Sequence, residues 1–313
     1  MGITCIIYGP TAVGKSSFAE RLVTLIPCEI INGDAAQFYT PLRIGTAKPE
    51  WRSSPVPHHM FDICTEPVDY SVAAYREQVA VLVHEILTRG KMPLIVGGSG
   101  FYMSALFFPV HAPRGAANHR VVQGTWEALQ AIDPVRAAAI HPNDTYRIMR
   151  ALSLYQQSQM APSQLKPVYC PITAPFALIE LLRNPDELIA RIEARVHEMI
   201  ASGWIAEVEV LLDTPWEQFL LKKKWIGYPE LIAYCRAGKP STDLPVLIKY
   251  ICRRTWHYAR KQMAYARMLI KKIKAQDPQV PIMSLDLTSQ HEEVYLKQLV
   301  NYFNHLQKGF SSE

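Results

Sequence analysis

The sequence predicts an α/β fold: a parallel sheet core flanked by helices, with a helical insertion domain. Three observations carry this reading. Short apolar runs of strand length alternate with helical patterns through residues 1–112, and that alternation implies helical crossovers between parallel strands. A glycine-rich turn, Gly9 to Ser16, joins the first run to the first helix. From 113 to 175 the texture shifts to scattered prolines and helical stretches, with few strand signals. At 313 residues the chain has room for about two domains and a large core.

The elements follow in order. Residues 3–8 are an apolar run, read as the first strand. Ser17 to Ile26 has helical periodicity, with Phe18, Leu22, Leu25 and Ile26 on the inner side. Cys28 to Asn32 is a second strand. Val72 to Thr88 reads as a helix burying Val72, Tyr75, Val79, Leu82, Val83 and Ile86, and Gly90 stops it. Pro93 to Val96 is a third strand, followed by Gly97-Gly98. Helices are expected at Gln123–Ile132 and Thr145–Gln157 in the insertion. Phe176 to Leu182 resumes the sheet, and Pro185 to Ser202 is a helix with Leu188, Ile192, Val196 and Met199 inward. Helical patterns then dominate, ending with a long helix from Pro245 to Gln276 that Asp277-Pro278 stops. The expected domains are a core made of 1–112 and 176–313, with a helical C-terminal part, and an insertion at 113–175.

Composition narrows the class. With 49% hydrophobic and 19% charged residues the chain is not a disordered polymer. No apolar run reaches the ~18–20 residues of a membrane span. The segment Met1 to Tyr8 has no basic leader and runs into the glycine turn, so it reads as a core strand rather than a signal peptide. Six scattered cysteines without a CxxC pair argue against a disulfide framework or a zinc finger. A soluble cytoplasmic protein is expected.

Charge is uneven. The formal balance is −1 over residues 1–112, +3 over 113–175 and +3 over 176–313. Leu244 to Gln276 holds nine Lys or Arg and no acid. Arg253, Arg260, Arg267 and Lys274 recur every seven residues, along one helical face, with Trp256, His257, Tyr258 and Tyr265 interleaved. A solubilising face would mix signs to gain i,i+4 pairs, so the stripe points to a phosphate-rich partner.

The strongest chemical motif is Gly9-Pro10-Thr11-Ala12-Val13-Gly14-Lys15-Ser16, which fits G-x-x-x-x-G-K-[ST] between a strand and a helix. It makes the core P-loop-type. Backbone N–H groups of such a loop close around phosphate oxygens at a helix N-terminus. Lys15 supplies a mobile cation and Ser16 a hydroxyl for Mg²⁺. The motif class is that of nucleotide-binding, ATP-binding loops. Its usual companion is a strand ending in a Mg²⁺-holding Asp, yet the strand Pro93–Val96 ends in Gly97-Gly98-Ser99-Gly100. That weakens an ATPase reading and leaves room for another diphosphate. The acid stands elsewhere: Asp34 follows the second strand, in Asn32-Gly33-Asp34-Ala35-Ala36-Gln37. Carboxyl ends of parallel strands line one crevice, so Asp34 and the loop should share it. A turn Asp capping the next helix is the plain alternative. Gln37 carries the donor and acceptor needed to read an adenine edge, or is a plain surface residue.

Further along, Ile44-Gly45-Thr46-Ala47-Lys48-Pro49, Gly97-Gly98-Ser99-Gly100-Phe101-Tyr102, Arg147-Ile148-Met149-Arg150-Ala151-Leu152, Arg195 to Val208, Ile226-Gly227-Tyr228 and Thr255 to Gln262 follow in order. With the loop and Asp34–Gln37, this series resembles the tRNA dimethylallyltransferase family over nearly the whole chain. Departures are Ala35 for serine, Ser99 for threonine, Tyr146 for glutamine, Ser153 for glutamate and Ala264-Tyr265 for threonine–tryptophan.

The resemblance implies transfer of a dimethylallyl group from dimethylallyl diphosphate to N6 of the adenosine 3′ to the tRNA anticodon, with release of diphosphate. It implies Asp34 as the base, with Ser99 binding phosphate or orienting Asp34. Arg195, Lys15 and a Mg²⁺ ion on Ser16 would take up diphosphate charge; the plain alternative for Arg195 is an i,i+4 partner on a surface helix. For tRNA it implies Asp34, Ala35, Ala36, Gln37, Tyr146, Arg147, Ile148, Met149, Arg150, Tyr258, Arg260, Lys261 and Gln262, and the basic stripe adds Arg253 and Arg267. The expected partners are dimethylallyl diphosphate and a tRNA anticodon stem-loop, with no membrane, and the protein is expected to be a monomer. A small-molecule P-loop kinase would leave the basic helix and the Gly-Thr-Ala-Lys segment unexplained. A vestigial RNA-binding protein would not need Lys15, Ser16 and Asp34 together.

Overall fold

A computed structural model describes residues 2–109, 124–165, 168–173, 175–240, 242–289 and 292–310. The chain divides into two compact units, one of Met1–Phe107 with Pro171–Glu313, the other of Phe108–Cys170.

The first unit is built on a six-stranded sheet. Its strands are β1 (Thr4–Tyr8), β2 (Cys28–Asn32), β3 (His58–His59), β4 (Met92–Gly97), β5 (Phe176–Leu182) and β6 (Ile282–Asp286), in the spatial order β3-β2-β4-β1-β5-β6. Every pairing is parallel; Ile7 sits opposite both Val96 of β4 and Ile179 of β5. Both faces are covered, so β1 and β2 are buried at every position. All carboxyl ends therefore share one edge. The strands β3 and β6 had not been expected. β3 is two residues long, too short for a periodicity signal, whereas the Pro281-Ile282-Met283-Ser284-Leu285 stretch carried a weak one.

Helix α1 (Lys15–Val23) begins two residues earlier than its periodicity suggested. Gly14 at φ 112° turns the chain directly into it, so Lys15 is already helical. It also ends early, at Val23, which leaves Leu25 exposed rather than inward, while Ile26 stays buried. Helix α2 (Val72–Thr88) is capped by Ser71 and buries Tyr75, Val79, Leu82, Val83 and Ile86, with Val72 only half-buried. A short α3 (Gly100–Ala105) follows β4.

The second unit holds α4 (Trp126–Ile132), α5 (Pro134–Ala138) and α6 (Thr145–Ser158). Gln123, the expected start of α4, lies outside the described residues. Its core is Leu129, Ala137, Ile140, Ile148, Ala151 and Leu152. Buried Asp133 accepts from the Arg136 and Ser163 amides, which ties α5 to the segment after α6.

In the first unit, α7 (Pro185–Ala201) buries Leu188, Ile192 and Val196, with Met199 half-buried at the cleft described below. Then come α8 (Trp204–Glu209), α9 (Pro215–Lys223) and α10 (Tyr228–Arg236). Helix α11 (Leu244–Gln276) has 33 residues and spans about 50 Å at ~1.5 Å per residue. Its buried stripe includes Ile251, Ala259, Gln262, Ala266, Leu269 and Ile273. The chain closes with α12 (Glu292–Phe310). Among the described residues no helix is long and apolar enough to cross a membrane.

Candidate active site

The carboxyl edge of the sheet opens into a cleft of about 750 Å³. Thr11, Ala12, Gly14, Lys15 and Ser16 line it, whereas Gly9, Pro10 and Val13 are buried beneath. Lys15 donates from Nζ to the Pro10 carbonyl at 2.9 Å and is 8% exposed. Burial lowers its pKa, the Asp34 charge opposes that, and Arg195 adds to it.

Three guanidiniums converge on the same loop. Arg183 donates to the Val13 carbonyl at 3.2 Å, Arg191 to the Ala12 carbonyl at 2.9 Å, and Arg195 to Thr11 Oγ1 at 3.4 Å. Arg183 is also paired with Glu187. Burial disfavours the charged forms of Arg195 and Arg191, and the two cations repel each other. An arginine keeps its proton, so both stay cationic at the loop, offset in part by the charges of Asp34 and Glu198 at Arg195 and of Glu187 and Glu292 at Arg191. Arg195 thus faces the loop rather than a surface partner. Sequence reading missed Arg191 and Arg183; the four-residue spacing of Arg191 from Arg195 on one helix was the available signal.

Asp34 sits across the cleft, at the end of β2. Its own N–H donates to Asn32 Oδ1 at 2.8 Å, and Asn32 Nδ2 is anchored on the Met60 carbonyl at 3.0 Å. Carboxylate oxygen Oδ1 accepts from the Gly98 amide at 2.6 Å and from Ser99 Oγ at 3.2 Å. Oδ2 has no hydrogen-bond partner among the described residues. The side chain does not cap the short 3₁₀ turn that follows; Ala35 N–H donates to Ser99 Oγ instead. The capping alternative therefore fails. Ser99 orients Asp34, one of its two expected roles. Gly98 is required there: a Cβ would stand 2.6 Å from Gln262 Nε2 and 3.1 Å from Lys15 Nζ.

The other expected site residues divide by location. Ala35, Ala36 and Gln37 line the cleft. Gln37 is 8% exposed, and its amino group donates to the Thr46 and Ala47 carbonyls at 3.0 and 3.3 Å. Only its carbonyl oxygen remains for a ligand, so the expected donor–acceptor reading is corrected to an acceptor alone. Tyr258, expected on tRNA, lines the cleft beside Ser99 and Asp34. Burial, then the Asp34 charge, push its phenol up to about 12, against a lowering contact from Ser99.

Gln262 is a second correction. It is 5% exposed, accepts from the Thr11 amide at 2.8 Å and donates to the Gly98 carbonyl at 2.7 Å. Its carboxamide is engaged at both ends inside the protein, so it braces the loop from the cleft lining instead of standing on the outer face with the arginines. Ile148 is a third: it is 2% exposed, in the core of the second unit. Around it Tyr146 and Arg147 are exposed, and Met149 and Arg150 half-buried. Arg147 is paired with Asp144 at 3.1 Å. Arg253, Arg260, Lys261 and Arg267 are exposed on α11, with no acidic partner among the described residues.

A cation-lined phosphate loop facing a fixed carboxylate defines a P-loop group-transfer enzyme. The chain belongs to the IPP transferase family, whose model matches residues 37–269. It is 39% identical to tRNA dimethylallyltransferase 2 of Geotalea uraniireducens, over 83% of this chain and 87% of that protein. It is 32% identical to the tRNA dimethylallyltransferase of Alkaliphilus metalliredigens, over 95% and 97%. Among solved structures, the tRNA isopentenylpyrophosphate transferase of Bacillus halodurans aligns with a TM-score of 0.68 at 28% identity, covering 100% of this chain and 99% of that one. A eukaryotic dimethylallyltransferase acting on tRNA aligns with a TM-score of 0.76 at 25% identity, covering 93% and 75%.

Proposed function

We propose that this chain transfers the dimethylallyl group of dimethylallyl diphosphate to N6 of the adenosine 3′ to a tRNA anticodon. The observation that carries the reading is Asp34. One of its oxygens is fixed by Gly98 and Ser99, the other has no hydrogen-bond partner among the described residues, and it shares a cleft with Lys15 and Arg195.

The exocyclic amine of adenine is a weak nucleophile because its lone pair is delocalised into the ring. As N6 attacks C1 of the allylic donor, the N–C bond forms and the C1–O bond to diphosphate breaks. Asp34 takes the amine proton as the positive charge develops on nitrogen. Lys15, Arg191, Arg195 and the loop amides take up the charge left on diphosphate. The Gln37 carbonyl oxygen accepts from an amino hydrogen of the base. A base in this cleft must leave its stack to reach Asp34.

Ser16 is exposed at the cleft, and the described residues hold no cluster of three or more His, Cys, Asp or Glu suited to a metal. That donor set fits Mg²⁺ carried mostly by diphosphate and water, with Ser16 as a protein contact. Bound there, Mg²⁺ would neutralise charge on the leaving group. The tRNA phosphates are assigned to Arg253, Arg260, Lys261 and Arg267, and to Tyr146, Arg147 and Arg150 of the 108–170 unit, with Met149 beside them. We further propose a cytoplasmic monomer whose turnover needs no ATP. Incubating the protein with radiolabelled dimethylallyl diphosphate, Mg²⁺ and unmodified tRNA tests the reading. Label is expected in tRNA without ATP. Label transfer only from ATP to a small acceptor would replace the proposal with a kinase.

A further inference from the structure

Glu207 on α8 has no place in the chemistry above, yet its carboxylate is fully engaged. Oε2 accepts from the amides of Arg43 and Ile44 at 2.9 and 2.6 Å. Oε1 accepts from the Gly45 amide at 3.2 Å and from the Tyr228 hydroxyl at 2.9 Å. Three consecutive N–H groups converging on one carboxylate form an anion nest, here filled by a residue more than 160 positions away in sequence. Gly45 lies flat against the Trp204 indole and the Tyr228 ring, where a Cβ would clash with both. The backbone of 43–45 is thus held in one place by α8 and α10.

That backbone leads directly into the two carbonyls, of Thr46 and Ala47, that hold the Gln37 amino group. Gln37 lies three residues after Asp34 and lines the same cleft, as do Gly45, Thr46 and Ala47. Resting on the functional reading above, we infer that Glu207 is a positioning residue for the acceptor base: by fixing 43–45 it sets the carbonyls that orient Gln37, so that only the Gln37 oxygen is offered to the base. The donor end of the cleft is built from the phosphate loop and α7, and Glu207 makes no hydrogen bond to either among the described residues.

The experiment compares the KM values for tRNA and for dimethylallyl diphosphate in Glu207→Ala, Gln37→Ala and the double variant, each checked for cooperative melting. Glu207→Ala is expected to raise the tRNA KM by about fivefold to tenfold, on the order of one net hydrogen bond. The donor KM should stay within about twofold. In the Gln37→Ala background the same change should add little, because it acts through Gln37. A folded Glu207→Ala with unchanged tRNA KM would overturn the inference. So would a donor KM that rises in step, or effects of the two substitutions that add. If Glu207→Ala does not fold, Tyr228→Phe removes a single bond to Oε1 and keeps the ring. A smaller rise confined to the tRNA KM supports the inference, and no rise overturns it. Absence of any transfer by the unaltered protein would instead overturn the functional reading, and this inference with it.

Discussion

At the scale of single residues, Asp34 was legible because an acid at the end of a parallel strand has few other places to be. The resemblance already offered Ser99 as a partner of Asp34; what the sequence could not specify was the Gly98 amide, which reaches Asp34 from 64 residues away. Asp34→Asn keeps the shape and removes the proton acceptor, so turnover should fall by about 10²–10⁴-fold. Filter-binding should find tRNA affinity nearly unchanged; a variant with wild-type turnover would make Asp34 a structural residue. Lys15 yields a pH prediction. Its pKa is lowered from 10.5, mainly by burial, and only the protonated form attracts diphosphate. Donor affinity should therefore fall as pH rises, at lower pH than an ordinary lysine would give. Calorimetric titration of dimethylallyl diphosphate across the alkaline range checks this, and Lys15→Ala should erase the pH step along with most of the affinity.

At the scale of elements, α11 has two faces with different tasks. The outward one carries Arg253, Arg260 and Arg267, as the seven-residue recurrence implied. The inward one delivers Gln262 to the phosphate loop and Tyr258 to the cleft. Grouping Gln262 with the outward arginines ignored helical phase. Ala259, Gln262, Ala266, Leu269 and Ile273 fall three or four apart, the spacing of a buried stripe, and a glutamine in that stripe must find polar partners inside. The two faces separate by experiment. Replacing Arg253, Arg260 and Arg267 by Gln should weaken tRNA binding and flatten its salt dependence, with up to about 0.9 of slope lost per phosphate contact. Donor affinity should not move. Gln262→Ala leaves the Thr11 amide and the Gly98 carbonyl without their partner. At about 2 kcal/mol for buried groups so stranded, Tm should drop by roughly 4–8 °C, which differential scanning calorimetry would read.

At the scale of the whole molecule, the sheet was legible in its first four long strands because each is a compact apolar run next to a helix. The order of strands was not, since parallel neighbours are set by crossover packing rather than by adjacency in sequence. The insertion announced itself by its prolines, but the compact unit spans 108–170 where 113–175 was expected, and its small core emerges only in the structure. Arg147→Ala with Arg150→Ala should weaken tRNA binding while donor affinity and the melting of the first unit stay unchanged; equal tRNA affinity would remove that unit from the interface. The sheet order also has a consequence in time. β1 lies between β4 and β5, so it leaves the ribosome before both of its neighbours, which end at Gly97 and Leu182. At ~5–20 residues per second, its second neighbour is complete roughly 9–35 s later. For that interval an apolar strand waits with at least one edge open, and synthesis speed, together with whatever chaperone shelters that edge, bears on the yield of folded enzyme.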